Sequence, residues 1–377
     1  MNNLSIIESE ELEEGMRKRD FLKTAAAGAA GSVAIAAPAI AQSEPTIRWR
    51  LVSSFPKNID VLYGCAEVMA KNLAEATDGK FQIQVFAAGE VVPALQAMDA
   101  VSNNTVEICH TAAYYYVGKD PTFALGTHVP FGLNTRQQNA WIYHGEGKKL
   151  LDDFFRKFNI VALPGGNTGC QMGGWFRKEI TDVADLKGLK FRISGLGGSI
   201  LAKLGAVPQQ VGGGDIYPAL ERGTIDAAEF NGPYDDERLG LYRVAPYYYY
   251  PGFWDGTSME HFFINAAQWE KLPKHYQAAL TAAAALANID AVARYDNLNP
   301  PALRRVVASG AKLRPFPAPI IDAAYKASQE LYEELCASNA EFKKIYESAR
   351  RFQQDSATWN QVSEYSYDSI VLRALRR

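Results

Sequence analysis

Four cysteines in 377 residues, none in a C-x-x-C pair, leave the chain without a sequence signature for a structural zinc site or a thioredoxin-like redox centre. They stand far apart at Cys65, Cys109, Cys170 and Cys336. A chain of this length needs no disulfide framework to hold its core, so free, buried thiols are expected. The five histidines, His110, His128, His144, His261 and His275, show no spacing that would set two of them on one metal. Also missing are H-E-x-x-H, G-x-S-x-G, a Walker loop and a complete G-x-G-x-x-G; the nearest approach, Gly195-Leu196-Gly197-Gly198-Ser199-Ile200, lacks the last glycine. Nothing in the sequence supplies Cys170 with a base. These gaps weigh against a hydrolase or lyase, the enzyme reading that competes with a binding protein.

An excess of either charge is missing too. With 39 basic and 42 acidic residues, there is no footprint for nucleic acid and no polybasic face for anionic lipid. Long apolar runs are confined to one place, the Ala/Gly-rich stretch Thr24 to Ile40. It follows Arg17-Lys18-Arg19-Asp20-Phe21-Leu22-Lys23 and ends in Ala39-Ile40-Ala41, the layout of a basic region, an apolar region and a small-residue cleavage site. Residues 1–41 are therefore expected to be an export signal and the protein periplasmic. The basic run resembles a twin-arginine signal, with Lys18-Arg19 where two arginines are usual. The competing reading, an uncleaved anchor, sits at the lower length limit for crossing a bilayer. Cleavage removes four basic and six acidic residues, so that 35 face 36. The partners of so neutral a chain should be held locally, in a cleft.

What is present is alternation of strand and helix patterns. Ile47–Ser53 and Phe81–Phe86 alternate as strands around a helical pattern over Asp60–Thr77, and a helix over Ala94–Ser102 precedes a strand over Val106–His110. Such alternation predicts an α/β fold with a parallel sheet. Arg136–Phe158 reads as one long helix and Ile160–Leu163 as the next strand. Pro164-Gly165-Gly166-Asn167-Thr168-Gly169 reads as a hinge, too rich in glycine for either element. Met259–Asn265 reads as a strand returning to the first lobe. From Pro273 the pattern is almost all helix, punctuated at Pro300-Pro301 and Pro315–Pro319. After Pro319 an apolar stripe, Ile321, Tyr325, Leu331, Tyr332 and Leu335, could serve the chain itself or a second copy.

The most informative stretch runs from Asp182 to Glu229. The strand Leu189–Ile193 brings Arg192 to its C-terminal end, and the strand Asp226–Phe230 brings Glu229 after the helix Ile216–Arg222, so a cation and an anion meet where open α/β sheets hold ligands. The phrases LKGLKFR and Gly223-Thr224-Ile225-Asp226-Ala227 resemble the extracytoplasmic solute receptors of tripartite ATP-independent periplasmic (TRAP) transporters, the DctP type. Ser53-Ser54-Phe55-Pro56-Lys57, Tyr114-Tyr115-Tyr116, GGNTGCQMGGWFR (165–177), GGDIYPALERGTIDAAE (213–229) and APYYYYPGFWDG (245–256) extend the resemblance over the mature chain. They place it nearest the branch that binds 2-oxo acids such as pyruvate, or 2-hydroxy acids such as lactate, with a metal ion.

That resemblance implies a two-lobed class II periplasmic-binding-protein fold with hinge crossings and a helical C-terminal extension. Lobe one would comprise 42–164 and about 260–300, lobe two 165–259, and the extension 301–377. Two carboxylates, Glu229 and Asp255, beside an anionic ligand repel at a cost of several kcal/mol at about 4–5 Å. No lysine or histidine lies in those segments, so a cation with oxygen ligands is expected, sodium ahead of calcium. The resemblance implies that Gln171 and Glu229 ligate it by side chain and Phe230 by its carbonyl, with Asp255 where close relatives carry Glu. It further implies that Arg192 clamps the ligand carboxylate in a two-pronged bond while Asn167 and Tyr115 complete the polar shell. Phe230-Asn231 replaces the usual Trp-Val. Phe253, Trp254 and Trp175 are expected to wall the pocket, and Asp235 and Asp236 to be a solvated helix start. The implied partners are a small carboxylate, the TRAP membrane permease and a second copy through the C-terminal helices. A C4-dicarboxylate or aromatic acid is the alternative ligand.

Overall fold

The structure is a computed structural model that describes residues 44–376; the export signal expected at 1–41 lies outside them. β1 (Ile47–Ser53) starts the first sheet. After α1 (Leu62–Ala76), β2 (Phe81–Phe86) lies parallel to it, burying Phe81 and Ile83 and exposing Gln82 and Gln84. α2 (Ala97–Ser102) leads to β3 (Ile108–Ala112) on the other side of β1. The long helix expected over 136–158 is two, α3 (Thr135–His144) and α4 (Gly147–Arg156). Gly145 ends the first. Gly147 packs so closely beneath the Trp141 ring that a Cβ there would lie 2.6 Å from it.

β4 (Ile160–Asn167) takes in residues 164–167 of the stretch expected to be a hinge and too rich in glycine for a strand. Its glycines are required for close approach: a Cβ on Gly165 would stand 2.2 Å from the Phe262 ring, and one on Gly166 3.1 Å from Cys65 Sγ. β4 is an edge strand, where Pro164 is tolerated.

β5 (Gly174–Phe176) starts the second sheet. Two α/β units follow: β6 (Lys190–Arg192), α5 (Gly195–Lys203), β7 (Val207–Gln209), α6 (Gly213–Glu221) and β8 (Ala227–Ala228). α7 (Pro233–Leu239) and β9 (Tyr247–Tyr250) complete this part. β10 (Met259–Asn265) then returns to the first sheet, antiparallel to both β3 and β4. The first sheet, ordered β2-β1-β3-β10-β4, is therefore mixed, where a parallel one was expected.

α8 (Lys274–Ala308) continues unbroken through Pro300-Pro301, because Tyr295, Ala302 and Val306 on both sides of the prolines are fully buried and hold it. Its early turns meet the first sheet at Phe81, and its later turns meet α7 through Tyr295 and Arg305. The segment expected to be almost all helix then gives a strand, β11 (Lys312–Pro315), parallel to β9. The second sheet reads β11-β9-β5-β8-β6-β7. α9 (Ala318–Ser338) buries Leu331 and Tyr332 of the expected stripe against its own chain, with the Tyr332 hydroxyl donating to Pro130 O at 2.7 Å. Tyr325 stays exposed. α10 (Ala340–Asn360), one π-helical turn and α11 (Ser366–Leu375) form a continuous rod. Two mixed sheets, each flanked by helices, make this a two-lobed α/β fold. No described helix is long and apolar enough to cross a membrane.

Candidate ligand and cation site

β6 and β8 are neighbours, with Arg192 opposite Ala228, so the residue that follows β8 emerges beside the guanidinium. Glu229 N donates to Arg192 O at 3.0 Å. Arg192 Nη1 donates to Glu229 O at 2.5 Å and stands 3.3 Å from Glu229 Oε2, while Nε donates to Val211 O at 3.1 Å. Both side chains are sealed, at 1% and 0% exposure. Two of the three guanidinium nitrogens thus serve the protein's own carbonyls and the guanidinium also bonds the Tyr115 hydroxyl, so that Nη2 is the nitrogen not held by a main-chain carbonyl. The Phe230 ring lies 5.5 Å from the guanidinium carbon, over Gly213, where a Cβ would strike it at 2.7 Å.

Gln171 and Asp255 come to the same place through backbone bonds: Gln171 N donates to Asp255 O at 3.0 Å, and Gly252 N to Gln171 O at 3.1 Å. The Gln171 amide occupies one position that fits either placement of its oxygen and nitrogen. In one, its nitrogen would donate to Phe230 O at 3.2 Å and Glu229 Oε1 at 3.1 Å. In the other, Nε2 donates to Thr168 Oγ1 at 3.1 Å and the amide oxygen faces those same two oxygens. Three oxygens then converge with no proton between them, an arrangement that a cation would stabilise.

Asn167, fully buried, accepts from Gly169 N and Thr257 Oγ1, each at 2.8 Å, while its Nδ2 has no partner. Tyr115 is half-buried; its carbonyl accepts from Gln210 Nε2 at 2.9 Å.

Burial pushes the Asp255 carboxyl well above the usual range, with the negative charge of Glu229 and then Glu260 adding to it. Burial also raises Glu229, opposed by Arg192 and by the Ser194 backbone N–H. One guanidinium does not balance these acids, and a cation among them would lower both. Among the described residues, no three His, Cys, Asp or Glu side chains group as a metal site. The candidate donor set is instead mixed, with two carboxylates, an amide oxygen and a main-chain carbonyl. All are hard oxygen donors that fit sodium or calcium.

Glu260 was not anticipated. It is 2% exposed; Ser258 Oγ donates to its Oε1 at 3.0 Å, and its Oε2 has no partner. Burial pushes its carboxyl up to about 8. The only sequence signal was a lone acid in the apolar strand MEHFFIN.

Asp235 and Asp236 do begin a helix, but they are fully buried rather than solvated. Asp235 Oδ2 accepts from Asn231 Nδ2 and the Tyr295 hydroxyl, each at 2.6 Å; Asp236 Oδ2 accepts from Trp175 Nε1 at 3.0 Å and the Tyr248 hydroxyl at 2.7 Å. Trp175 is held by that bond and stacks on Tyr248 at 3.9 Å, as part of the second sheet's core. Phe253 and Trp254 pack on Phe316. All four cysteines are free, but only Cys65 and Cys109 are buried; Cys170 is exposed because it lies in the loop between β4 and β5. A separate hollow of about 30 Å³, lined by His128, Phe131, Tyr332 and Arg350 among others, lies away from the Arg192 cluster.

Residues 52–339 match the family described as bacterial extracellular solute-binding protein, family 7 (DctP). The chain belongs to that family. It is an extracytoplasmic solute-binding protein of the TRAP type and not an enzyme. The monocarboxylate 2-oxoacid-binding periplasmic protein of Nostoc sp. is 46% identical over 361 residues, covering 94% of this chain and 99% of that one. Among solved structures, a TRAP transporter solute-binding protein from Bordetella bronchiseptica, a dimer with copurified calcium and picolinate, superposes with a TM-score of 0.88 at 50% identity, covering 89% of this family member and 99% of its own chain. One from Pseudoalteromonas atlantica with bound sodium and pyruvate gives 0.84 at 37% identity, covering 86% and 99%.

Proposed function

We propose that this receptor binds a small 2-oxo or 2-hydroxy monocarboxylate, of the pyruvate, 2-oxobutyrate or lactate kind, together with a cation, and delivers it to a TRAP membrane permease. The observation that carries the reading is the convergence of the Gln171 amide on the Glu229 carboxylate and the Phe230 carbonyl beside Arg192. Gln171, Glu229, Phe230 O and Asp255 would hold the ion; Arg192, Asn167, Gln171 and Tyr115 would hold the acid. A 2-oxygen and a carboxylate can chelate one ion together, which disfavours a C4-dicarboxylate lacking that pair. The Nostoc protein's 2-oxoacid ligands and the pyruvate of the Pseudoalteromonas protein support the same class.

Sodium is the ion proposed from the sequence. Charge balance favours a second reading, calcium: two site carboxylates and the ligand carry three negative charges against one on Arg192, and a divalent ion balances them. The calcium of the Bordetella protein supports that reading. We also propose export by a twin-arginine-like signal. The two lobes, 42–164 with about 260–300 and 165–259, are proposed to close over the ligand.

Calorimetry of pyruvate binding with sodium or calcium present tests the reading. Glu229→Gln and Asp255→Asn should each weaken ion and acid together, by about tenfold or more, since coupling between two ligands is reciprocal. Acid binding indifferent to both substitutions and to exhaustive cation removal would show that no shared ion site exists.

A further inference from the structure

We propose that Ser194 is a further ligand-positioning residue, giving the incoming carboxylate the second hydrogen-bond donor that Arg192 lacks; this rests on the reading above that Arg192 faces a small carboxylate. The argument begins with the strand. Extended backbone persists beyond β6: Ile193 N donates to Gln209 O at 3.1 Å, and Ser194 has φ −104° and ψ 165°. Side chains two residues apart in extended chain share a face. Phe191 and Ile193 both enter the apolar core, so Arg192 and Ser194 share the opposite face.

Ser194 is also the residue from which the nine-residue helix α5 starts. A serine in that position ordinarily turns its hydroxyl back to accept from an N–H of the first turn. Ser194 makes no such bond. Its Oγ has no other partner either, although the residue is only 3% exposed. A buried hydroxyl left unpaired is costly, so the bond it is built to make is to a group that the chain does not supply.

Its surroundings indicate which group. The Ser194 N–H lies against the Glu229 carboxylate. Gly195 has φ +64°, and a Cβ there would stand 2.7 Å from the Tyr114 ring, so the start of α5 is pressed against the residue preceding Tyr115. The hydroxyl is thus placed among the residues proposed to hold the acid. A helix start favours negative charge, and Arg192 Nε and Nη1 are already committed. One carboxylate oxygen would accept from Arg192 Nη2 and the other from Ser194 Oγ.

The experiment compares the wild-type chain with Ser194→Ala by titrating pyruvate at saturating calcium, titrating calcium alone and melting each protein without ligand. The expected result is a roughly tenfold or greater loss of pyruvate affinity, the range for a hydrogen bond to a charged group, with calcium affinity and ligand-free melting unchanged. Wild-type pyruvate affinity in Ser194→Ala overturns the inference. A lowered ligand-free melting temperature with equal losses of calcium and pyruvate affinity also overturns it, by assigning Ser194 a structural role. A wild-type chain that takes no 2-oxo acid overturns the functional reading, and the inference with it.

Discussion

Asp235 and Asp236 look like ordinary first-turn acids in the sequence, because Gly232-Pro233 and a run of charged residues are what a solvated helix start presents. Their burial depends on residues far away, Tyr248, Trp175 and Tyr295, which local pattern does not reveal. Arg192 and Glu229 were legible for the opposite reason: each sits at the end of a short apolar strand, and strand ends are where this class of sheet presents polar groups. Burial is the main cause that pushes Asp236 from 3.8 up to about 7, and the hydrogen bonds from Tyr248 and Trp175 oppose it. The folded chain therefore holds a proton that the unfolded chain releases near pH 4. Its contribution to stability is fully present below that pH and is lost as pH rises toward 7. Asp236→Asn keeps an acceptor for both donors and has no charge to bury. Its melting temperature should exceed the wild type by several degrees at pH 8, with a smaller decline between pH 4 and 7. Parallel pH profiles for the two proteins would show that Asp236 is ionised in the fold.

At the scale of elements, β1, β2, β6 and β10 were located to within a residue or two, β1 and β2 by alternation and β6 and β10 as short, largely apolar runs. The failures occurred where packing overrides local preference. β4 includes Pro164-Gly165-Gly166 because β10 pairs with it on both sides of a register shift at Gly165 and the Phe262 ring packs against that glycine. α8 passes through two prolines because its buried side chains hold it on both sides. β11 is a short strand that exists only because β9 offers an edge. The β4 case distinguishes two meanings of a glycine. If Gly165 provides flexibility, Gly165→Ala leaves stability intact, because the backbone there is not left-handed. If it provides space, the added methyl is forced into the Phe262 ring and costs about 1–3 kcal/mol. A melting temperature lowered by several degrees is expected, and an unchanged one would show that Gly165 does not serve as space for the Phe262 ring.

Among the described residues, the C-terminal rod leaves an apolar surface without a partner, and it is not the stripe that the sequence suggested. α9 uses that stripe largely for its own chain, and α10 is held in place by Trp141 Nε1 donating to Ser348 Oγ, Gln353 Nε2 to Gly132 O and Gln137 Nε2 to Ser356 Oγ. Beyond Ser356 the rod continues with Trp359, Val362, Tyr365, Tyr367, Ile370, Leu372 and Leu375 all more than half exposed. So many large apolar side chains on a single exposed rod exceed what an isolated chain ordinarily presents to water. A second copy is the proposed occupant, since a symmetric pair of rods would cover the surface, and the Bordetella relative is a dimer. Truncation before Pro319 would not test this, because it also removes α9 and the part of α10 that complete the chain's own fold. Truncation after Ala357 removes the exposed apolar residues and leaves those packed turns. Light scattering at micromolar concentration should give a dimer for the full chain and a monomer for the truncated one, with equal pyruvate affinity, because no proposed site residue lies beyond Asp255. A truncated chain that still dimerises would place the interface elsewhere, and a full chain that scatters as a monomer would remove the second copy altogether.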